Sequence, residues 1–272
     1  MAVAAVLSLG LAVVCAGLAP LVSAQTRQPA AIRSLRFDVS FIPQAHDGAI
    51  TGRVFVMITR SVDKIAEPRL QIGRTGVPFF GRDVERLAPE QVISIGAGDL
   101  GTPIDSIADI PPGDYFAQAM VVVYSEFRRA DGHVVWMHDD RWEGQRWNRS
   151  PGNLFSAVQK IHIDASGSSV IRLVADQALP PVPEPADTKY VKHLKFQSPT
   201  LTKFWGRPIY LGAIVLLPRD YDRETISYPV NYVQGHFSTA PPYGFDGIND
   251  FSKAWLGDGF PRMLAVTFQH PT

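Results

Sequence analysis

The sequence predicts a mixed chain, an all-β domain followed by the opening of an α/β domain. Three observations carry this. Leu35, Phe37, Val39 and Phe41 alternate with Arg36, Asp38 and Ser40, the pattern of a strand buried on one face. Pro180, Pro181, Pro183 and Pro185 then interrupt the chain, and such a run forms neither helix nor central strand. Beyond it lie three short apolar runs without alternation, as strands covered on both faces require.

Residues 1–24 read as a secretory signal peptide. The run from Ala2 to Leu21 carries no charge and ends at the small residues Ser23 and Ala24, and polar Gln25 to Gln28 follow at once. The run is nearly long enough to span a bilayer, but no basic stop-transfer cluster follows it. Cleavage after Ala24 is therefore expected, with export to the periplasm or beyond. The one cysteine, Cys15, goes with the leader. The mature chain then lacks disulfides, thiolate metal sites and cysteine nucleophiles, and its stability rests on a packed core. Lys and Arg total 26 and Asp and Glu total 26, so no overall field draws the chain to nucleic acid or, once the leader is gone, to an anionic membrane. No cofactor is expected.

Residues 25–178 are assigned to the β domain. Further strands are expected at Gly52–Thr59, Arg69–Ile72, Val92–Ile95, Asp114–Phe127, His133–Met137, Ala157–Ile163 and Val170–Val174. Pro111, Pro112 and Gly113 turn the chain into the longest of them, and Asp164–Ser169 closes a hairpin between the last two. About eight short strands suggest a sandwich of immunoglobulin-like architecture. Residues 179–188 form a stiff linker. In residues 189–272 the non-alternating runs are Ile209–Leu217, Tyr228–Val233 and Met263–Phe268, with a short helix at Asn249–Leu256 between the last two. Strand, helix and strand in that order make a βαβ unit.

The run Tyr210–Pro218, the pair Tyr221 and Asp222, and the segment Tyr228–Phe237 resemble the opening of the esterase branch of the α/β-hydrolases, to which enterochelin esterase and esterase D belong. That branch has a strand ending in Leu-Pro, here Leu217-Pro218, and then a Tyr-Pro-Val-x-Tyr strand, here Tyr228–Tyr232. A Gly/His loop that helps form the oxyanion hole comes next. The resemblance covers roughly residues 205–272 and implies an ester substrate, attacked by a serine that a histidine activates, through an acyl-enzyme. It makes Gly235, His236 and Phe237 the oxyanion-loop candidates. Gly235 would let the backbone approach the substrate, and His236 or Phe237 would supply a donor or line the acyl pocket. The competing reading is that His236 merely caps a strand end.

Two departures stand out. Gly235 precedes His236, the reverse of the usual order, and no Gly-x-Ser-x-Gly elbow occurs. Ser94-Ile95-Gly96 comes nearest, with Val92 in place of the first glycine. In the fold so implied, the nucleophile, acid and histidine follow the strand at which this sequence ends. No catalytic residue is therefore assigned, and residues 189–272 are expected to be a partial hydrolase domain without activity of its own.

Outside that segment, His138, Asp139 and Asp140 invite a metal reading, but neighbours in an extended segment point to opposite faces, which favours a solvated loop. Trp136, Trp142 and Trp147 lie close to Arg141, Arg146 and Arg149. Such a cluster either stacks on sugars or bases or packs a long loop onto a sheet or neighbouring domain. His46, His133, His162 and His193 stand alone, with a satisfied structural role as the default, while His270 is open to a role as ligand, base or neither. The alternative to an esterase is a non-catalytic exported protein whose β-sandwich holds a carbohydrate or a protein partner.

Overall fold

The alternating segment at the start of the β domain forms strand β1 (Arg36–Phe41), with Phe37, Val39 and Phe41 buried. The structure is a computed structural model and describes residues 35–61, 67–164, 169–233, 235 and 237–270. The segment read as a leader lies outside them. No helix among the described residues is long and apolar enough to cross a membrane. The chain is mostly β, in one curled sheet and a second, smaller one.

The curled sheet continues through β2 (Ile50–Thr59), β3 (Phe79–Leu87), β4 (Ile93–Ile95), β5 (Gly101–Thr102), β6 (Gly113–Arg128), β7 (Val134–His138), β8 (Leu154–Ser156), β9 (Gln159–Ile163) and β10 (Val170–Ala178). Its organiser is β6, sixteen residues long. Along one side β6 pairs with β2, and along the other with β9, β8 and β7 in turn. Strand β2 passes the ladder to β3 and β5, while β8 passes it to β10, β1 and β4. The sheet closes round Phe37, Phe41, Ile50, Ile58, Phe80 and Leu154, all essentially without solvent exposure.

Two expectations need correction, and one strand was not foreseen. Arg69–Ile72 is not a strand. Pro68 removes a ladder donor and opens a 3-10 turn at Pro68–Leu70. The hairpin expected across Asp164–Ser169 does not form, because β9 pairs with β6 while β10 pairs with β1 and β8; residues 165–168 lie outside the described residues. Strand β3 escaped notice because its ladder with β2 shifts register and Arg86 takes a positive φ, which spoils the alternation.

The second sheet comprises β11 (Val191–Gln197), β12 (Tyr210–Leu216), β13 (Val230–Tyr232) and β14 (Leu264–Gln269), in the order β11-β12-β14-β13. Helix α1 (Pro199–Trp205) joins the first two strands; Ser198 caps it and Gly206 ends it in the left-handed region. Helix α2 (Asp250–Leu256) joins β13 to β14, which are parallel, so the strand–helix–strand unit is present. Asn249 caps α2 by accepting the Ser252 N–H at 2.7 Å.

The register divides this sheet into two unlike faces. Val191, Ile214, Leu216 and Ala265 lie beneath Trp255 and Phe245 and are buried, and the Trp255 indole N–H donates to the Leu217 carbonyl at 2.9 Å. On the other face Leu194, Ala213 and Phe268 stand side by side across three strands, with Phe196, Val230 and Tyr232 around them. Leu194 is 52% exposed and Tyr232 63%, so this face is open. The sequence pattern leads one to expect cover on both faces, and the described residues cover only one.

Candidate functional site

The loop that follows β13 starts at the edge of the second sheet. The Val233 N–H still donates to the Val266 carbonyl at 2.8 Å, and the chain then leaves the ladder. Gly235 is exposed with open space around it, and His236 lies outside the described residues. Phe237 is buried. Its ring lies 5.8 Å from the His270 ring and packs close to Gly144. Gln269 ties the loop down by donating to the Ser238 carbonyl at 3.0 Å. Of the two described candidates, then, Gly235 presents a free backbone and Phe237 serves as a packing anchor. At the opposite end of β13 and β14, the Arg262 guanidinium is bonded to Glu224 and holds that carboxylate below its usual range.

Four of the histidines find carboxylates, the first of them His133 with Asp131 at 3.1 Å. His138 pairs with Glu143 at 2.9 Å, His162 with Asp114 at 2.7 Å and His193 with Asp187 at 3.3 Å. Among the described residues no serine hydroxyl is bonded to any of these rings, and no serine–histidine pair is formed. The described residues also hold no group of three or more His, Cys, Asp or Glu placed to bind a metal.

The loop that follows β7 is organised by two buried acids. Asp140 accepts the N–H groups of Trp142 (2.8 Å) and Gln145, and Glu143 accepts that of Arg141 (2.6 Å) together with the His138 ring. Burial and the neighbouring Glu143 push Asp140 above its ordinary range. Burial also pushes Glu143 up, but the His138 and backbone bonds outweigh it and leave this acid low. One proton thus sits more readily on Asp140 than on Glu143.

The loop so held turns Trp142 toward the second sheet, where a side chain at Gly212 would collide with the indole and where Lys195 lies 4.7 Å over it. Trp147 packs instead on the curled sheet, stacked on Phe55 at 4.5 Å. Trp136 remains 48% exposed. The tryptophans expected to act as one cluster therefore go three separate ways.

Two clefts indent the curled sheet. One, of about 470 Å³, lies between Thr59, Val77 and Tyr115. Its single arginine, Arg60, is occupied by a 2.7 Å bond to the Tyr115 hydroxyl. The other, of about 530 Å³, lies between residues 70–74 and 145–149 over Phe79 and Trp147. Arg146, Trp147 and Arg149 are neighbours in sequence, but nothing in the sequence brings Arg74 to the same place. Comparisons of the chain with protein-family models, with curated proteins and with solved structures find no match.

Proposed function

We propose that this chain belongs to an exported hydrolase acting on carboxylic esters, and that residues 189–272 supply the oxyanion side of its site without the nucleophile. The observation that carries the reading is the order of the second sheet. An antiparallel pair comes first, then a parallel strand pair joined by a helix, with the later strand inserted inside: β11-β12-β14-β13. An α/β-hydrolase sheet opens in this order. In such sheets the loop between the third strand and the next helix contributes an N–H to the oxyanion hole. Here that loop contains Gly235, whose backbone is exposed. Further strands and helices would extend the sheet beyond β13 and cover the open face, and a serine elbow would come from them.

On this reading the curled sheet is a sandwich of immunoglobulin-like architecture whose layers share β6, and the acyl-transfer step needs groups these residues do not provide. Purified residues 25–272 should therefore leave short p-nitrophenyl esters intact. Turnover that a serine-directed phosphonate abolishes would overturn the assignment of an incomplete site. Reading the frame past Thr272 tests the catalytic part directly. A strand–turn–helix with Gly-x-Ser-x-Gly supports it, and a continuation without one rejects it. Export is checked by mass spectrometry of secreted material, with Gln25 as the expected N-terminus.

A further inference from the structure

The cleft between residues 70–74 and 145–149 has the chemistry of a receptor site. Arg74 stands on one wall and Arg146 and Arg149 on the other, and among the described residues no Asp or Glu lines the space between them. Among the described residues none of these three guanidinium groups makes an ion pair, whereas Arg53 and Arg82 on the curled sheet and Arg69 in the turn beside it are each bonded to a carboxylate. Three cations left facing one cleft repel each other and await an anion.

The walls are fixed in advance. The Asn148 amide donates to the Arg69 carbonyl at 2.7 Å, and the Arg69 guanidinium donates back to the Asn148 carbonyl at 3.1 Å. This reciprocal pair clamps the two walls together. Arg69 is itself held by Glu67 at 2.9 Å and lies 4.7 Å over Phe155. The floor is equally set, since Trp147 stacks on Phe55 and leans on Phe79 at 6.2 Å. A preformed cleft spares a ligand the ordering loss that a mobile loop would impose. Its volume falls within the roughly 300–1,000 Å³ usual for ligand sites.

We infer that this cleft binds an acidic oligosaccharide, with uronate carboxylates on Arg74, Arg146 and Arg149 and a sugar ring against the Trp147–Phe79 floor. Guanidinium matches carboxylate in paired hydrogen bonds. An indole face suits the C–H face of a pyranose, and Gln145 and Thr102 on the rim offer neutral partners for hydroxyl groups. A nucleic acid fits less well, because the whole chain carries no excess of basic residues to follow a phosphate backbone.

Calorimetric titration of residues 25–272 with tetragalacturonate tests it, alongside the methyl-esterified tetrasaccharide and inorganic sulfate. The acidic sugar should bind, and its neutral ester at least about tenfold more weakly. The Arg146→Ala/Arg149→Ala variant should lose about tenfold per arginine, since a charge-assisted bond is worth at least one decade. Arg60→Ala, in the other cleft, should bind like the parent. If the double variant fails to fold, Arg74→Ala on the opposite wall carries the same expectation. Equal affinity for the neutral ester, parental affinity in the arginine variants, or no binding of the acidic sugar would each overturn the inference. Sulfate binding as tightly as the tetrasaccharide would reduce the cleft to a simple anion site and reject the saccharide.

Discussion

Ile214 and Leu194 sit on neighbouring strands of the second sheet but on opposite faces, and replacing each by alanine measures how one-sided its cover is. Ile214 has no solvent exposure and lies in the cluster with Val191, Leu216, Phe245 and Trp255. Truncating it leaves a cavity against a helix that can collapse only partly, at a cost of about 2–5 kcal/mol. Leu194 loses three carbon atoms, worth about 0.8 kcal/mol each when fully buried. With 52% of the residue already in water, roughly half of that is at stake, about 1 kcal/mol. Urea unfolding followed by far-UV circular dichroism and tryptophan fluorescence resolves the difference, provided the slope with denaturant is unchanged. We expect Ile214→Ala to lower stability two- to fivefold more than Leu194→Ala. Equal losses would mean that the Leu194 face is covered in solution, and the reasoning from its exposure would fail.

Other expectations are as direct. A Cβ at Gly52 would lie 2.0 Å from the Val122 carbonyl oxygen, where two backbones meet and neither yields, whereas nothing lies within 4 Å of one at Gly98. Thermal melts should therefore show Gly52→Ala strongly destabilised and Gly98→Ala near the parent; a parental melt for Gly52→Ala refutes the close approach. The Asp114 carboxylate raises the His162 pKa and is itself lowered by that ring. Their attraction is complete only between the two ordinary values, fading as pH falls through the lowered Asp114 value and as it rises through the raised His162 value. In a proton NMR titration Asp114→Asn should bring the His162 midpoint down, and an unmoved midpoint would rule out the pairing. Residues 180–187 are exposed and without regular structure, so limited proteolysis should cut there and leave a resistant fragment of about residues 35–178. A first cut within β6 or β10 would show that the curled sheet is not the more stable part.

What the sequence made legible followed from local rules. Strand β1 announced itself by strict alternation, and α2 by Asn249 at its cap and the apolar Phe251 and Trp255 on one side. The parallel pair β13 and β14 followed from the strand–helix–strand order alone. Helix α1 was equally readable, since Ser198-Pro199 opens it and Gly206 closes it, but seven residues between two strands are easily taken for a loop. Strand β11 was hidden for a different reason. Its apolar Leu194 and Phe196 face outward while Lys192, His193 and Lys195 interrupt them, so it lacks the continuous run of its neighbours. The arginine cleft was half legible. Arg146, Trp147 and Arg149 are adjacent in sequence, but Arg74 reaches them only because Arg69 and Asn148 tie two distant turns together. Gly212 likewise gives no sign in sequence that its bareness makes room for Trp142.

Strand β1 takes as its parallel neighbour the last strand of the curled sheet, residues 36–41 against 170–175. The two partners are separated by most of the β domain, so this ladder closes a very long loop and carries its full entropic penalty. A chain emerging N-terminus first holds β1 with no lasting neighbour except the three residues of β4 until β10 arrives. Folding of the curled sheet thus cannot run ahead of synthesis, and pairing of such high contact order proceeds in milliseconds to seconds rather than microseconds. Were the chain exported as proposed above, that slowness would keep it threadable across a membrane. The same delay leaves Phe37, Val39 and Phe41 exposed longest, which makes the first strand the segment most in need of a holding chaperone until β10 is made.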